Sequence, residues 1–317
     1  MRKIVVVFAA VGLSAVVLIA GEASAYGLQM WLRADAGVET HDYSASGGDI
    51  ADVSAWRDQS GQGNDVSQAV IANMPELVAN GLNGNSVVRF SGEGDTPTSA
   101  SPDHEFLTGF LTSAVDLNRA TVLAIGSFNS PDRLGMLELS PVAGNEGYSP
   151  FNRGHLNPDF FSAHYDGDGS GIVRLQSDEE SLDTAHHLFT STVDKTAGNM
   201  DLFLDGVDLD VNIEFFNSSV VPMDDVTHVT VGARQAGAIW WLGGDIGEIL
   251  VFDGVISPDQ LAGLHHILGD RWGISTPIAT TAQISAGQAL LVPEPSTALL
   301  LATGLIGLSA RNKRRHS

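Results

Sequence analysis

The sequence predicts an all-β protein: two packed sheets closed by one C-terminal helix. Three observations carry that expectation. Short runs of β-branched and aromatic residues recur through the middle of the chain, the joints between them are rich in Gly, Ser, Asp and Asn, and a single stretch repeats its apolar residues with helical spacing. Many short strands with loop-rich joints bury their apolar faces most readily as a two-sheet sandwich.

The elements follow in chain order. Met1-Arg2-Lys3 is a short basic start, residues 4–20 are apolar, and Ala23-Ser24-Ala25 follows. Positive charge stays on the cytoplasmic side, the apolar run enters the membrane, and the small residues Ala23 and Ala25 suit signal peptidase, so residues 1–25 are expected to be a signal peptide cleaved after Ala25. The run also approaches spanning length, which leaves an uncleaved anchor as the alternative. Strands are expected at 86–90, 120–126, 171–175, 187–193, 200–204, 227–231 and 246–252, each bounded by turn formers. The segment Asp194-Lys-Thr-Ala-Gly-Asn199 reads as a hairpin loop with Gly198 or Asn199 at positive φ. Ser257 as cap, Pro258 at the first helical position and Gln260 completing a capping box start a helix. Its residues Leu261, Leu264, Leu268 and Trp272 share one face, and Gly273 stops it. Residues 277–292, rich in Thr, Ala, Ile and Gln, read as a linker. With no internal repeat, residues 26–276 are expected to fold as one domain.

Composition excludes several classes of function. Without residues 1–25 and 296–317 the chain keeps 10 of its 16 Lys/Arg and 37 of its 38 Asp/Glu, a net charge of −27 against −22 for the whole chain. A nucleic-acid partner is excluded, because polyanion binding needs clustered cations and that region holds one lysine, Lys195. Acidity of this size favours solubility and suits cation binding. The absence of cysteine means that the core must hold without disulfides.

Several landmarks resemble the LamG-like jelly rolls of the concanavalin A-like lectin/glucanase group. Leu28-Gln-Met-Trp-Leu-Arg-Ala-Asp35 resembles the opening strand, and Trp56-Arg-Asp-Gln-Ser-Gly-Gln-Gly-Asn64 the W-x-D-x-S-G-x-G-N turn. The stretch from Met74-Pro-Glu-Leu-Val to Val87-Val-Arg-Phe-Ser-Gly92 resembles the segment that ends in the "rFdG" strand. Asp201-Leu-Phe-Leu-Asp-Gly206 resembles the "lyvnG" hairpin, and Gly244-Asp-Ile-Gly-Glu-Ile-Leu-Val-Phe-Asp253 the last strand before the closing helix. The resemblance spans residues 28–273 and implies a concanavalin A-like jelly-roll sandwich. The turn also makes physical sense alone: Trp56 is a buried anchor, Asp58 accepts from a backbone amide two residues on, Gly61 and Gly63 allow φ values other residues resist, and Ser60 and Asn64 complete the motif.

At the far end stand Val292-Pro293-Glu294-Pro295-Ser296, an apolar run over 297–310, and the basic cluster Arg311, Lys313, Arg314, Arg315. Prolines flanking a glutamate give an extended, accessible strip, and basic residues after an apolar run stay cytoplasmic. The three parts resemble the PEP-CTERM signal of two-membrane bacteria. The resemblance implies recognition by an exosortase, cleavage near Pro293, Glu294 and Pro295, and transient anchoring by the apolar segment; a plain tail anchor is the alternative.

Glycosidases of this sandwich type carry E-x-D-x-x-E on one strand, where alternation puts the first two carboxylates on one face. That string is absent. Glu248 is followed on its own face by Leu250 and Phe252, a core pattern, so it reads as a partner for an amide or Arg; Glu138 lacks acidic partners at those offsets. H-E-x-x-H, G-x-S-x-G and the phosphate loop are absent too. Two features point to binding. Tyr165-Asp-Gly-Asp-Gly-Ser-Gly171 places Asp166 and Asp168 on a glycine-flexed loop, either a Ca²⁺ site or a solvated turn. On a strand, one of Trp240 and Trp241 faces the core and the other faces out, where an indole stacks on sugar rings; a tryptophan covered by the closing helix is the alternative. The expectation is an exported, noncatalytic surface or extracellular-matrix protein whose recognition domain binds carbohydrate, an exopolysaccharide or another glycan. A structural matrix component without ligand and a glycoside hydrolase or lyase are the rivals.

Overall fold

The computed structural model describes residues 27–41, 51–94, 104–129, 134–141, 147–153, 160–165, 172–177, 182–194, 197–209, 211–215 and 226–292. The strands in chain order are β1 Leu28–Arg33, β2 Val38–His41, β3 Asp52–Trp56, β4 Val66–Ser67, β5 Glu76–Leu82, β6 Asn85–Gly94 and β7 Leu107–Val115. Next come β8 Arg119–Gly126, β9 Leu134–Gly135, β10 Leu137–Ser140, β11 Tyr148–Arg153, β12 Phe160–Tyr165 and β13 Ile172–Ser177. The last are β14 His187–Asp194, β15 Asn199–Leu204, β16 Val207–Asp208, β17 Val211–Phe215, β18 Val226–Val231 and β19 Trp241–Asp253, followed by helices α1 Pro258–Trp272 and α2 Thr281–Leu290.

These elements form an all-β jelly-roll sandwich with helices on one side. β19 is the spine of the first layer. β8 runs along one of its edges, with Leu123 opposite Leu250, and β6 and β1 share the other, with Arg89 opposite Asp245 and Leu32 opposite Ile249. β14, β15 and β16 continue beyond β8, and β5 flanks β6. The second layer runs β2–β3–β4–β7–β18–β10–β11–β12–β13–β17. A single bridge, Asp52 opposite Glu76, joins β3 to β5 across the layers. The pairings are antiparallel throughout the described strands.

Side-chain alternation along each strand sorts the apolar residues into two cores. Met30 and Leu32, Val122 and Ala124, and Ile249 and Val251 face the second layer, where they meet Leu137, Leu139, Val229 and Val231. Trp31, Leu123, Ile125, Leu250 and Phe252 point the other way, onto Leu261, Leu264, Leu268 and Trp272 of α1. The first layer is therefore buried on both faces, and its strands read as unbroken apolar runs. The second layer buries only its inner face in apolar contact; Glu138, Ser140, His228 and Thr230 lie on its outer one.

α1 begins with the reciprocal Ser257–Gln260 capping box and ends at Gly273, whose φ of 70° satisfies the left-handed cap. The hairpin between β14 and β15 turns on Gly198 at φ 72°. The linker expected at 277–292 is instead largely helix, since α2 occupies Thr281–Leu290. It starts with a second reciprocal box, Thr280 with Gln283. It packs on α1 where two glycines meet: a Cβ at Gly263 would lie 1.8 Å from the Gln283 carbonyl oxygen, and one at Gly287 would lie 2.5 Å from the carbonyl carbon of Gly263. The expectation failed because backbone contact through glycine leaves no apolar stripe to read.

Candidate functional site

The turn of residues 56–64 is a clasp. The fully buried Trp56 donates its indole N–H to the Arg33 carbonyl at 2.8 Å. Asp58 Oδ1 accepts from the backbone N–H of Trp31 at 2.8 Å and of Ser60 at 2.9 Å, while Oδ2 accepts from Ser60 Oγ at 2.6 Å and from the Asn64 N–H at 3.0 Å. Asn64 donates through Nδ2 to the Gln29 carbonyl and accepts at Oδ1 from the Thr112 N–H, both at 2.6 Å. Gly61 and Gly63 sit at φ 87° and 77°. These polar atoms tie β1 to β7 and have little capacity left for a ligand.

A different arrangement lies on the outer face of the second layer. Cross-strand register aligns Thr108, Thr230 and Glu138 in one row, and Phe110, His228 and Ser140 in the next. Glu138, Thr230, Ser140 and His228 are 1–5% exposed, whereas Phe110 is 71% exposed with its ring edge-on to His228 at 4.5 Å. Burial of the imidazole holds the His228 pKa below its ordinary value. A polar sheet face that is buried must have its groups satisfied, and Glu138 shows how: Oε1 accepts from Arg234 Nε at 3.3 Å, and Oε2 accepts from the backbone N–H of Gln235.

That second contact grips an unusual turn. Gln235, Ala236 and Trp240 have φ of 51°, 55° and 54°, and Gly237 has 86°. Left-handed backbone at non-glycine residues costs roughly 1–3 kcal/mol each and persists only where the surroundings over-determine it. Here they do. The Arg234 carbonyl accepts from the N–H of Gly237 and Ala238 at 3.1 and 3.0 Å, and the Trp240 carbonyl accepts from the Gly135 N–H at 2.9 Å. The Arg234 guanidinium, 2% exposed in the residue as a whole, lies 4.4 Å from the centre of the Trp240 ring.

Trp240 precedes the strand rather than belonging to it, so the strand alternation expected of the two tryptophans does not apply. Trp241 is 5% exposed, stacks on His104 at 4.0 Å and donates its indole N–H to the Gly237 carbonyl at 3.0 Å. Its cover is this stack and not the closing helix, which packs elsewhere on the first layer. Trp240 is half-buried and borders the Arg234–Glu138 pair. The sequence offered Trp240 as a candidate. It gave no sign of Arg234 and Glu138 as its support, since those residues lie 96 positions apart.

Under α1 the fully buried Glu248 has three donors: the indole N–H groups of Trp31 at 2.5 Å and Trp272 at 2.6 Å, and Arg271 at 2.6 Å. His186 Nε2 lies 3.2 Å from Asp245, which also takes the bidentate Arg89. His187 lies between Asp205 and Asp183 at 2.8 and 3.0 Å. Burial opposes its charge, and the two carboxylates outweigh burial and raise its pKa. Among the described residues, no group of three or more His, Asp or Glu is arranged to hold a metal ion. Asp166 and Asp168 lie outside the described residues, as do Ala23, Ala25, Pro293, Glu294 and Pro295.

Among the described residues no helix is long and apolar enough to cross a membrane; the apolar run at 297–310 is not among them. Comparison with curated proteins finds no match. Among solved structures, the chain is similar to the binding domain of botulinum neurotoxin serotype D, at 14% identity and a TM-score of 0.50, with 80% of this chain and 54% of that one covered. The receptor-binding domain of botulinum neurotoxin type G matches at 9% identity and a TM-score of 0.48, over 76% and 51%. A native heptameric SAP-like pentraxin from Limulus polyphemus matches at 11% and 0.37, over 56% and 80%. The chain thus spans about half the length of the two neurotoxin chains, and at 14% identity the likeness to the serotype D domain is one of fold. The model of the PEP-CTERM protein-sorting motif matches residues 291–315. The protein therefore carries a PEP-CTERM sorting motif, the mark of export and surface-directed sorting in Gram-negative bacteria with processing by exosortase.

Proposed function

We propose that this is a noncatalytic carbohydrate-recognition protein of the cell surface or extracellular matrix, built on a LamG-like domain, with an exopolysaccharide as its partner. The observation that carries the reading is the strained 234–240 turn. A fold tolerates three left-handed non-glycine residues in seven where they serve a purpose, and here they hold an indole at the surface, backed by a buried arginine–carboxylate pair. An indole fixed in this way offers a rigid apolar platform to the C–H face of a sugar ring with little ordering cost on binding. Phe110 is a second exposed aromatic ring on the outer face of the same layer.

The reading is noncatalytic because Glu138, the carboxylate that the described residues place on this face, is 1% exposed and already holds Arg234 and the Gln235 amide. Glycoside hydrolysis needs two carboxyl groups about 5–9.5 Å apart flanking the bond. The test is a glycan array probed with the exported protein, with and without Ca²⁺, alongside assay of reducing ends released from the same polysaccharides. Binding to glycans without release is expected. Binding that requires Ca²⁺ would bring in the Asp166–Asp168 loop. Release of reducing ends would make the protein a hydrolase, and an empty array would leave the rival reading of a structural matrix component.

A further inference from the structure

On the opposite side of the molecule, where α1 lies on the first layer, a cavity of about 220 Å³ opens between the first turns of the helix and the β14–β15 hairpin. Its apolar wall includes Phe203, Ile256 and Leu261, and its polar groups are Thr192, Asp201 and His265. His265 is 3% exposed. Its Nε2 is engaged with Thr190 Oγ1 at 2.9 Å. Its Nδ1 meets no hydrogen-bond partner among the described residues and yet is not sealed from solvent. That nitrogen faces Gly206, another wall of the cavity: a Cβ built there would stand 3.2 Å from it. An imidazole nitrogen that has no protein partner and that solvent still reaches is a hydrogen-bonding position for a group that enters the cavity.

The remaining groups narrow the occupant. Asp201 Oδ2 accepts from Thr192 Oγ1 at 3.1 Å, leaving its carboxylate further acceptor capacity at the mouth. That charge rejects anions. Burial holds the imidazole neutral, with its pKa pushed down to about 4, so no cation is present to recruit one. A metal ion would have one carboxylate and one nitrogen among mainly apolar walls, too few ligands for a hard cation. The volume lies below the roughly 300–1,000 Å³ of pockets for drug-sized ligands. A ligand with an apolar face for Phe203 and hydroxyls for His265 and Asp201 fits, and the volume matches about one sugar ring.

We propose that the cavity between α1 and the β14–β15 hairpin binds a single neutral pyranose ring, through stacking on Phe203 and hydroxyl contacts to His265 Nδ1 and Asp201. The site is independent of the Trp240 face, which belongs to the other layer, so either can fail without the other. A free monosaccharide and the end of a glycan chain present the same chemistry.

The test is saturation-transfer NMR on the exported protein, with methyl glucopyranoside, methyl galactopyranoside and methyl mannopyranoside as probes and glucuronate as the anionic control. At least one methyl pyranoside should bind in the millimolar range and glucuronate at least tenfold more weakly. Trp240→Ala, which removes the indole platform proposed above, should retain a signal, and adding Ala262→Trp, which fills the cavity from its helical wall, should abolish it while a cooperative melting transition is retained. In Asp201→Asn the discrimination against glucuronate should shrink. A linear polysaccharide that gains affinity as its chains are shortened at constant mass would identify chain ends as the natural source, and indifference to chain length would identify the free sugar. No binding of any pyranoside, equal binding once Ala262→Trp is added, or complete loss in Trp240→Ala alone would overturn the proposal.

Discussion

Glu248 illustrates how a single side chain holds the helix side of the molecule together. Its carboxylate is fully buried and satisfied by two indole N–H groups and Arg271. Glu248→Ala would leave a guanidinium and two indole donors unpaired at once, and breaking a buried pair from one side costs roughly 3–5 kcal/mol. Chemical denaturation should therefore show a loss of that order, with Glu248→Gln losing less. That Glu248 serves as a partner was legible from the apolar Leu250 and Phe252 on its own face; that one partner is Trp31, 217 positions away, was not. His265 gives the second prediction at this scale. Its folded-state pKa is depressed by burial to about 4, so the unfolded chain binds the proton first as pH falls. The neutral ring's contribution is fully present above the unfolded value near 6.5 and is lost as pH drops towards 4, by roughly 3 kcal/mol over that window. The stability difference between wild type and His265→Gln should narrow by that amount from pH 7 to pH 4. A constant difference would mean that the ring titrates alike in the folded and unfolded chain, and a difference that widens would mean that the folded state favours the protonated ring.

The elements were read unevenly, and the physical reason is burial geometry. β8, β14 and β19 carry apolar residues on both faces and were located to within a few residues, except that β19 starts at Trp241, ahead of the expected 246. β7 and β10 alternate apolar and polar residues beneath the outer face, and they were missed. α1 was readable from cap to cap because its apolar stripe packs on the first layer. Trp272→Ala, which removes a fully buried aromatic ring, should cost about 3–5 kcal/mol in thermal or chemical unfolding. α2 escaped notice because its only buried residues are Gly287 and Leu290. Its capping box, Thr280 with Gln283, repeats the Ser257–Gln260 pattern of α1 and was the signal available. Helices this short are marginal alone, so α2 depends on docking. Gly263→Ala would place a methyl group against the backbone of Gln283, which cannot yield as a side chain can. Amide exchange in residues 281–290 should accelerate strongly while β19 remains protected; unchanged exchange would mean that the helix does not rely on this contact.

The whole molecule joins a strongly acidic domain to a sorting tail, and the boundary is tighter than the sequence suggested. Leu291, packed against the core beneath α1, is also the first residue matched by the sorting motif. Cleavage near Pro293–Pro295 would therefore leave α2 as the docked C-terminal end of the mature protein. Intact-mass measurement of the protein from its host should show a species that lacks residues 296–317, and a mature chain retaining Arg311 to Arg315 would contradict it. The sandwich and the tail were legible because patterning and motif fix them locally. The face around Trp240 was only half legible: Trp240 stood out by type, but its support comes from β10 and from the backbone of a turn whose φ values no sequence pattern announced. The claim that this face recognises carbohydrate is tested most directly by calorimetric titration of the exported protein with the extracellular polysaccharide of its own host, wild type against Trp240→Ala. The account predicts binding by the wild type and a loss of more than about tenfold in the variant, the scale expected for a central aromatic anchor, with the melting transition preserved. Equal affinity in the two proteins would contradict it.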